Sequence, residues 1–185
     1  MSNKEFEAFL KKEEEKGKKE TPIDWEGIKK KWFVHLDKLF LDIQTWLKEY
    51  VEDNRIKLGF NNIEIQEEAL GKYTVKELII VIYGKTAQLT PIGTILIGTP
   101  GRADLSGPAG TVRFILADRN ATGPKIEFKV FTSEEERKKD AENEKKKTKL
   151  ETEWIWKITS NPPRIKYTEL NKETFLQCLT EVING

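Results

Sequence analysis

One histidine, His35, and one cysteine, Cys178, limit the chemistry open to this chain. A Cys/His dyad would have to join these two residues, and a serine triad would have to recruit the same histidine without any nucleophile-elbow pattern. Cys178 falls beside the apolar stripe of a helical segment, the usual setting of a free cysteine that serves as a small hydrophobe. His35 stands at the edge of an aromatic face, where it either borders a core or flanks a pocket and titrates near neutrality. A zinc site would be built mostly from carboxylates, and no closely spaced ligand pairs offer one. No metal and no cofactor is expected.

The stretch from Pro91 to Gly110 most invites a functional reading. Its glycines would let a backbone approach a phosphate, with Arg102 or Arg113 as counter-charge. It lacks the Lys-Ser/Thr ending of a P-loop, and no helix follows whose amino end would face an anion. Gly98-Thr99-Pro100-Gly101 and Ser106-Gly107-Pro108-Ala109-Gly110 read more simply as short β connections. Arg102 and Asp104 share a sheet face by their twofold spacing, and Arg113 on the next strand is placed to pair with Asp104. This trio is either a surface ladder or, with His35, the basis of a small-ligand or anion site. Trp154 and Trp156, on one strand face, are expected to pack under a helix; exposed, they would instead form a stacking platform. Carboxylates such as Glu64 and Asp104 are the remaining route to an enzyme, and nothing in the sequence pairs them.

Charge narrows the partners. The 32 basic residues are matched by 31 acidic ones, whereas capture of nucleic acid needs a basic excess gathered on one face. Residues 1–20 carry six Lys against six Glu, and residues 134–149 carry seven basic against six acidic, so neither run is a polybasic arm. The run Leu78 to Tyr83, the longest apolar one, is far below the roughly 20 residues of a membrane helix. The single cysteine and the lack of a signal pattern at the amino terminus point to the reducing cytoplasm. The triplet Asn120-Ala121-Thr122 reads as a loop.

The elements that would position these residues follow from periodicity. Residues 1–20 form a charged, frayed helix or tail with little apolar content beyond Phe6, Phe9 and Leu10. Residues 21–185 form one domain. Thr21-Pro22 and Asp24 open a helix running to about Asp53, with Ile28, Trp32, Leu36, Leu39, Ile43, Trp46 and Tyr50 on one broad face. Val34 and Leu41 fall on the opposite side, placed to receive Phe6 and Phe9 or a second copy of the chain.

From Arg55 the period becomes twofold. Strands are expected over 55–60, 63–66, 76–83, 86–91, 94–97, 102–105, 111–118 and 125–131, then 153–159 and 164–168. Gly84-Lys85 is the expected hairpin turn. A charged insertion over 132–150 has no packing face. Asn171 caps a final helix, with Leu170 and Phe175 as its hydrophobic staple.

The expected fold is α+β: a curved, mainly antiparallel sheet of about seven to ten strands covered on one face by the aromatic helix and the terminal helix. The expected role is subtractive in origin. Balanced charge and missing catalytic constellations leave a non-catalytic cytoplasmic interaction or scaffold protein, binding another protein or itself. A small-ligand or anion-binding domain using Arg102, Asp104 and Arg113 is the alternative, and a carboxylate enzyme the third.

Overall fold

The computed structural model describes residues 6, 7, 10, 24–94, 99–124 and 153–184. The expected elements at 1–5, 11–23, 95–98 and 125–152, and Phe9 with them, lie outside these residues. Helix α1 spans Trp25–Glu52, and strands β1 to β7 span Ile56–Glu67, Gly71–Ile82, Lys85–Gly93, Arg102–Gly107, Gly110–Asp118, Trp154–Thr159 and Tyr167–Glu169. Helix α2, Lys172–Asn184, closes the chain. The seven strands form one open antiparallel sheet in sequence order. The fold is α+β, with both helices on one face. No described helix is long and apolar enough to cross a membrane.

Helix α1 begins where Asp24 accepts a hydrogen bond from the Gly27 amide at 2.8 Å, satisfying one of the donors a helix start leaves orphaned. Its stripe of Trp32, Leu36, Leu39, Phe40, Ile43 and Leu47 is buried. The indole N–H of Trp156 on β6 donates to His35 O at 3.0 Å, fixing the helix to the sheet. Gly101 is required at the Trp32 contact, because a Cβ there would stand 2.4 Å from the ring. Helix α2 opens with a reciprocal cap: the Thr174 amide donates to Asn171 Oδ1 at 3.0 Å and the Asn171 amide to Thr174 Oγ1 at 2.9 Å. Leu170 and Phe175 flank this cap and are both buried. Phe175 packs its ring against Trp46 and Phe114, so the two helices and β5 meet in one core.

Four local expectations change, the first being that the last strand covers Tyr167–Glu169 rather than 164–168. Residues 55–60 and 63–66, read as two strands, belong to the single strand β1, and β2 starts at Gly71 rather than 76. The β2–β3 turn is centred on Tyr83-Gly84, one residue earlier than expected, with φ of 45° and 84°. Two consecutive positive φ angles define the type I′ turn whose twist suits a two-residue hairpin. Finally, the inward side of β1 and β2 changes halfway. Leu78 and Ile80 are buried on one parity and Tyr73 and Val75 on the other, although pairing runs unbroken from Ile56↔Ile82 to Glu67↔Gly71. The reason is that β3 pairs only with residues 78–82 of β2. The remainder is a two-stranded ribbon, free to take the larger twist of such ribbons and turn its other face inward. Its end is tied down by Glu67, whose carboxylate accepts from the Thr94 amide at 2.9 Å and from the Tyr73 hydroxyl. Burial first, and then Glu67, pushes the Tyr73 phenol well above its ordinary range.

Candidate interaction site

The sheet separates the residues singled out from the sequence. Ala103 and Leu105 face the helices and are fully buried, so Arg102 and Asp104 point to the opposite face. His35, on α1, is on the helix side, and the structure does not bring it to the arginines. Arg102 Nε and Nη2 donate to Asp104 Oδ1 and Oδ2 at 2.7 and 2.6 Å, a bidentate pair that occupies the guanidinium fork. Arg113 stands opposite Asp104 in the β4–β5 register and is exposed. Register continues the row to Thr90, whose hydroxyl donates to the Glu77 carboxylate on β2. This is a row of polar residues across the strands, with Arg102 bonded to Asp104 and Thr90 bonded to Glu77. Glu64, three strands away on β1, is paired with Lys72 at 2.8 Å and does not approach Asp104.

His35 lines a cleft of about 160 Å³ between α1 and the β6–β7 side of the sheet, together with Lys38, Asp42, Arg119 and Trp154. Burial, then Lys38 and Lys31, holds its pKa below 6.5. The two tryptophans divide: Trp156 is buried, while Trp154 at the strand end is 39% exposed. Cys178 is buried in the core, which pushes its thiol up to about 11 and leaves it unreactive at neutral pH. Val34 and Leu41 are 61% and 63% exposed on the outward side of α1, and Phe6 is half exposed. Among the described residues no group of three or more His, Cys, Asp or Glu is arranged to hold a metal ion.

Sequence reasoning missed Lys157. It is buried on the sheet face away from the helices, where its Nζ donates to the Arg119 and Ala121 carbonyls at 2.6 and 2.7 Å. These bonds draw the 119–124 loop across β6. The loop also covers the far edge of the sheet, since Thr122 O accepts the Tyr167 amide at 3.0 Å. The β7 edge is therefore short, three residues long, and partly occupied.

The opposite edge is different. Strand β1 is 12 residues long. Which of its backbone groups face outward follows from the neighbouring hairpin. A two-residue turn makes its flanking pair, Ile82 and Lys85, the closing hydrogen-bonded pair, so even-numbered residues of β2 bond to β3 and odd-numbered ones to β1. Through the β1–β2 register the odd residues of β1 are the bonded ones. Ile56, Leu58, Phe60, Asn62, Glu64 and Gln66 thus direct N–H and C=O away from the sheet. None of the outward N–H and C=O groups of these six residues has a hydrogen-bond partner among the described residues. Gly59 has open space at its Cβ position, and Phe60, Asn61 and Asn62 are exposed. Sheet edges are ordinarily blunted by shortness, bulges, proline or several lysines. β1 carries an unbroken ladder, no proline and the single lysine Lys57.

No protein-family model, curated protein or solved structure matches this chain.

Proposed function

We propose that this chain is a non-catalytic protein-interaction module that binds through the outer edge of β1, which no described residue covers. The observation that carries the reading is the row of six outward backbone donor and acceptor pairs on an unblunted edge strand. Such a row is a template for another strand: main-chain hydrogen bonds supply affinity and alternate side chains supply selectivity. The occupied Arg102 fork supports the same reading, because an anion would have to displace Asp104 to reach it. The near-equal count of basic and acidic residues favours a protein over a nucleic acid as the partner. A lone, buried thiol fits a reducing cytoplasm.

The test is affinity capture from a lysate of the source cells, using the full chain and Asn62→Pro as baits. Proline at Asn62 removes an outward N–H and leaves the β1–β2 ladder its bonds. The expected outcome is a stoichiometric protein, this chain itself included, held by the natural chain and lost from a folded Asn62→Pro. A chain that retains nothing and stays monomeric would refute the proposal.

A further inference from the structure

Resting on the interaction reading, we infer that the occupant of the edge is a second copy of the chain, its β1 running antiparallel to the first about a twofold axis at Asn61. The two open sheets then join into one. The inference follows from which groups point outward. A twofold axis at Asn61 sets Ile56 opposite Gln66, Leu58 opposite Glu64 and Phe60 opposite Asn62 of the second copy. These are the six residues whose backbone groups face out, so every outward donor and acceptor from 56 to 66 meets a counterpart.

Charge favours the antiparallel sense. Arg55 and Lys57 lie at one end of β1, and Glu64, Glu67 and Glu68 at the other; with Arg55 paired to Asp53 and Glu64 to Lys72, the first end stays net basic and the second net acidic. Antiparallel self-pairing brings the basic end of each copy alongside the acidic end of the other, within the screening length at ordinary salt. A parallel arrangement would stack like charges. Directly opposed residues contain no like-charged pair, since Glu64 meets Leu58 and Lys57 meets Ile65. Gly59 meets Ile63, which gives the larger side chain room. A twofold contact of this kind is closed, so it ends at a dimer instead of growing into a fibre.

Asn61 meets its own copy at a position where the backbones exchange no hydrogen bonds. At such positions Cα atoms approach to about 4.5 Å, within disulfide range. That makes the register testable. Sedimentation velocity on the full chain across a dilution series is expected to show a reversible shift between 21.5 kDa and twice that mass. Asn62→Pro should weaken the dimer at least tenfold. Asn61→Cys should form a covalent dimer on mild oxidation, and Val34→Cys on the outer face of α1 should not. The cysteine variants keep the test informative if the proline variant fails to fold. A chain that stays monomeric throughout the series overturns the inference. So does a dimer that is insensitive to Asn62→Pro and cross-links no better through Asn61→Cys than through Val34→Cys. If the chain is monomeric while its lysate capture yields a different protein lost with Asn62→Pro, self-pairing fails and the interaction reading stands. If it is monomeric and captures nothing, both fail.

Discussion

At the scale of single residues, stability is concentrated where the chain admits no other atom. Gly101 lies against the Trp32 ring, and Gly101→Ala would drive a methyl group to 2.4 Å from it. Relieving that contact means shifting a buried indole, at a cost of about 2 kcal/mol or more, measurable by urea unfolding. Lys157 is a second such point. Lys157→Met keeps the aliphatic volume and loses both bonds to the 119–124 loop. The expected loss is roughly 2 kcal/mol, with faster proteolysis of that loop. His35 confers a pH dependence whose sign follows from its lowered pKa. The folded state favours the neutral ring, a contribution fully present above pH 6.5 and lost as pH falls through the lower folded value. The urea midpoint should therefore drop between about pH 7 and 5, and His35→Gln should flatten that drop. That Arg102 and Asp104 share a sheet face was legible from twofold spacing, although the partner expected for Asp104 was Arg113 and the carboxylate pairs with Arg102 instead; Cys178 was legible from its helical stripe. Lys157 was not, since nothing in the sequence around Trp156 and Ile158 signals that two loop carbonyls will close over a lysine between them.

At the scale of elements, periodicity located the helices and strands β3 to β6 because burial there has one side. The stripe of α1 and the cap at Asn171 appear where their residue types place them. β1 and β2 were harder for a physical reason: where a ribbon twists enough to exchange its inward face, the twofold pattern breaks although the strand continues. The sequence between Phe60 and Ile63 therefore resembled a turn. The β2–β3 hairpin was displaced by one residue because Tyr83, with φ of 45°, occupies a conformation that ordinary side chains avoid. Tyr83 is also 83% exposed, so its ring contributes little packing. Tyr83→Asn should consequently stabilise the protein by about 0.5 to 1 kcal/mol, because asparagine tolerates the positive φ of a type I′ turn. A rise in the thermal midpoint would register this. An unchanged or lower midpoint would mean that the ring is held by contacts beyond the turn.

At the scale of the whole molecule, the sheet has two ends treated in opposite ways. β7 is short and its Tyr167 amide is taken by the 119–124 loop, whereas β1 extends for 12 residues with its outer row free of partners among the described residues. The α+β class and the coverage of one sheet face by two helices could be read from the order of periodic segments. The open edge could not. Its direction depends on the register of the neighbouring hairpin, and the grouping of Arg102 with His35 failed for the related reason that a sheet separates what a linear sequence lists together. The central claim is that β1 is a docking edge. Amide hydrogen exchange resolved by residue, at low and high protein concentration, tests it most directly. A self-pairing β1 edge predicts that Leu58, Phe60, Asn62 and Glu64 exchange rapidly in dilute solution and become protected on concentration, while Lys57, Gly59, Asn61 and Ile63 are protected throughout. Rapid exchange of the even residues at every concentration would contradict self-pairing, and uniform protection of both rows in dilute solution would contradict the open edge itself.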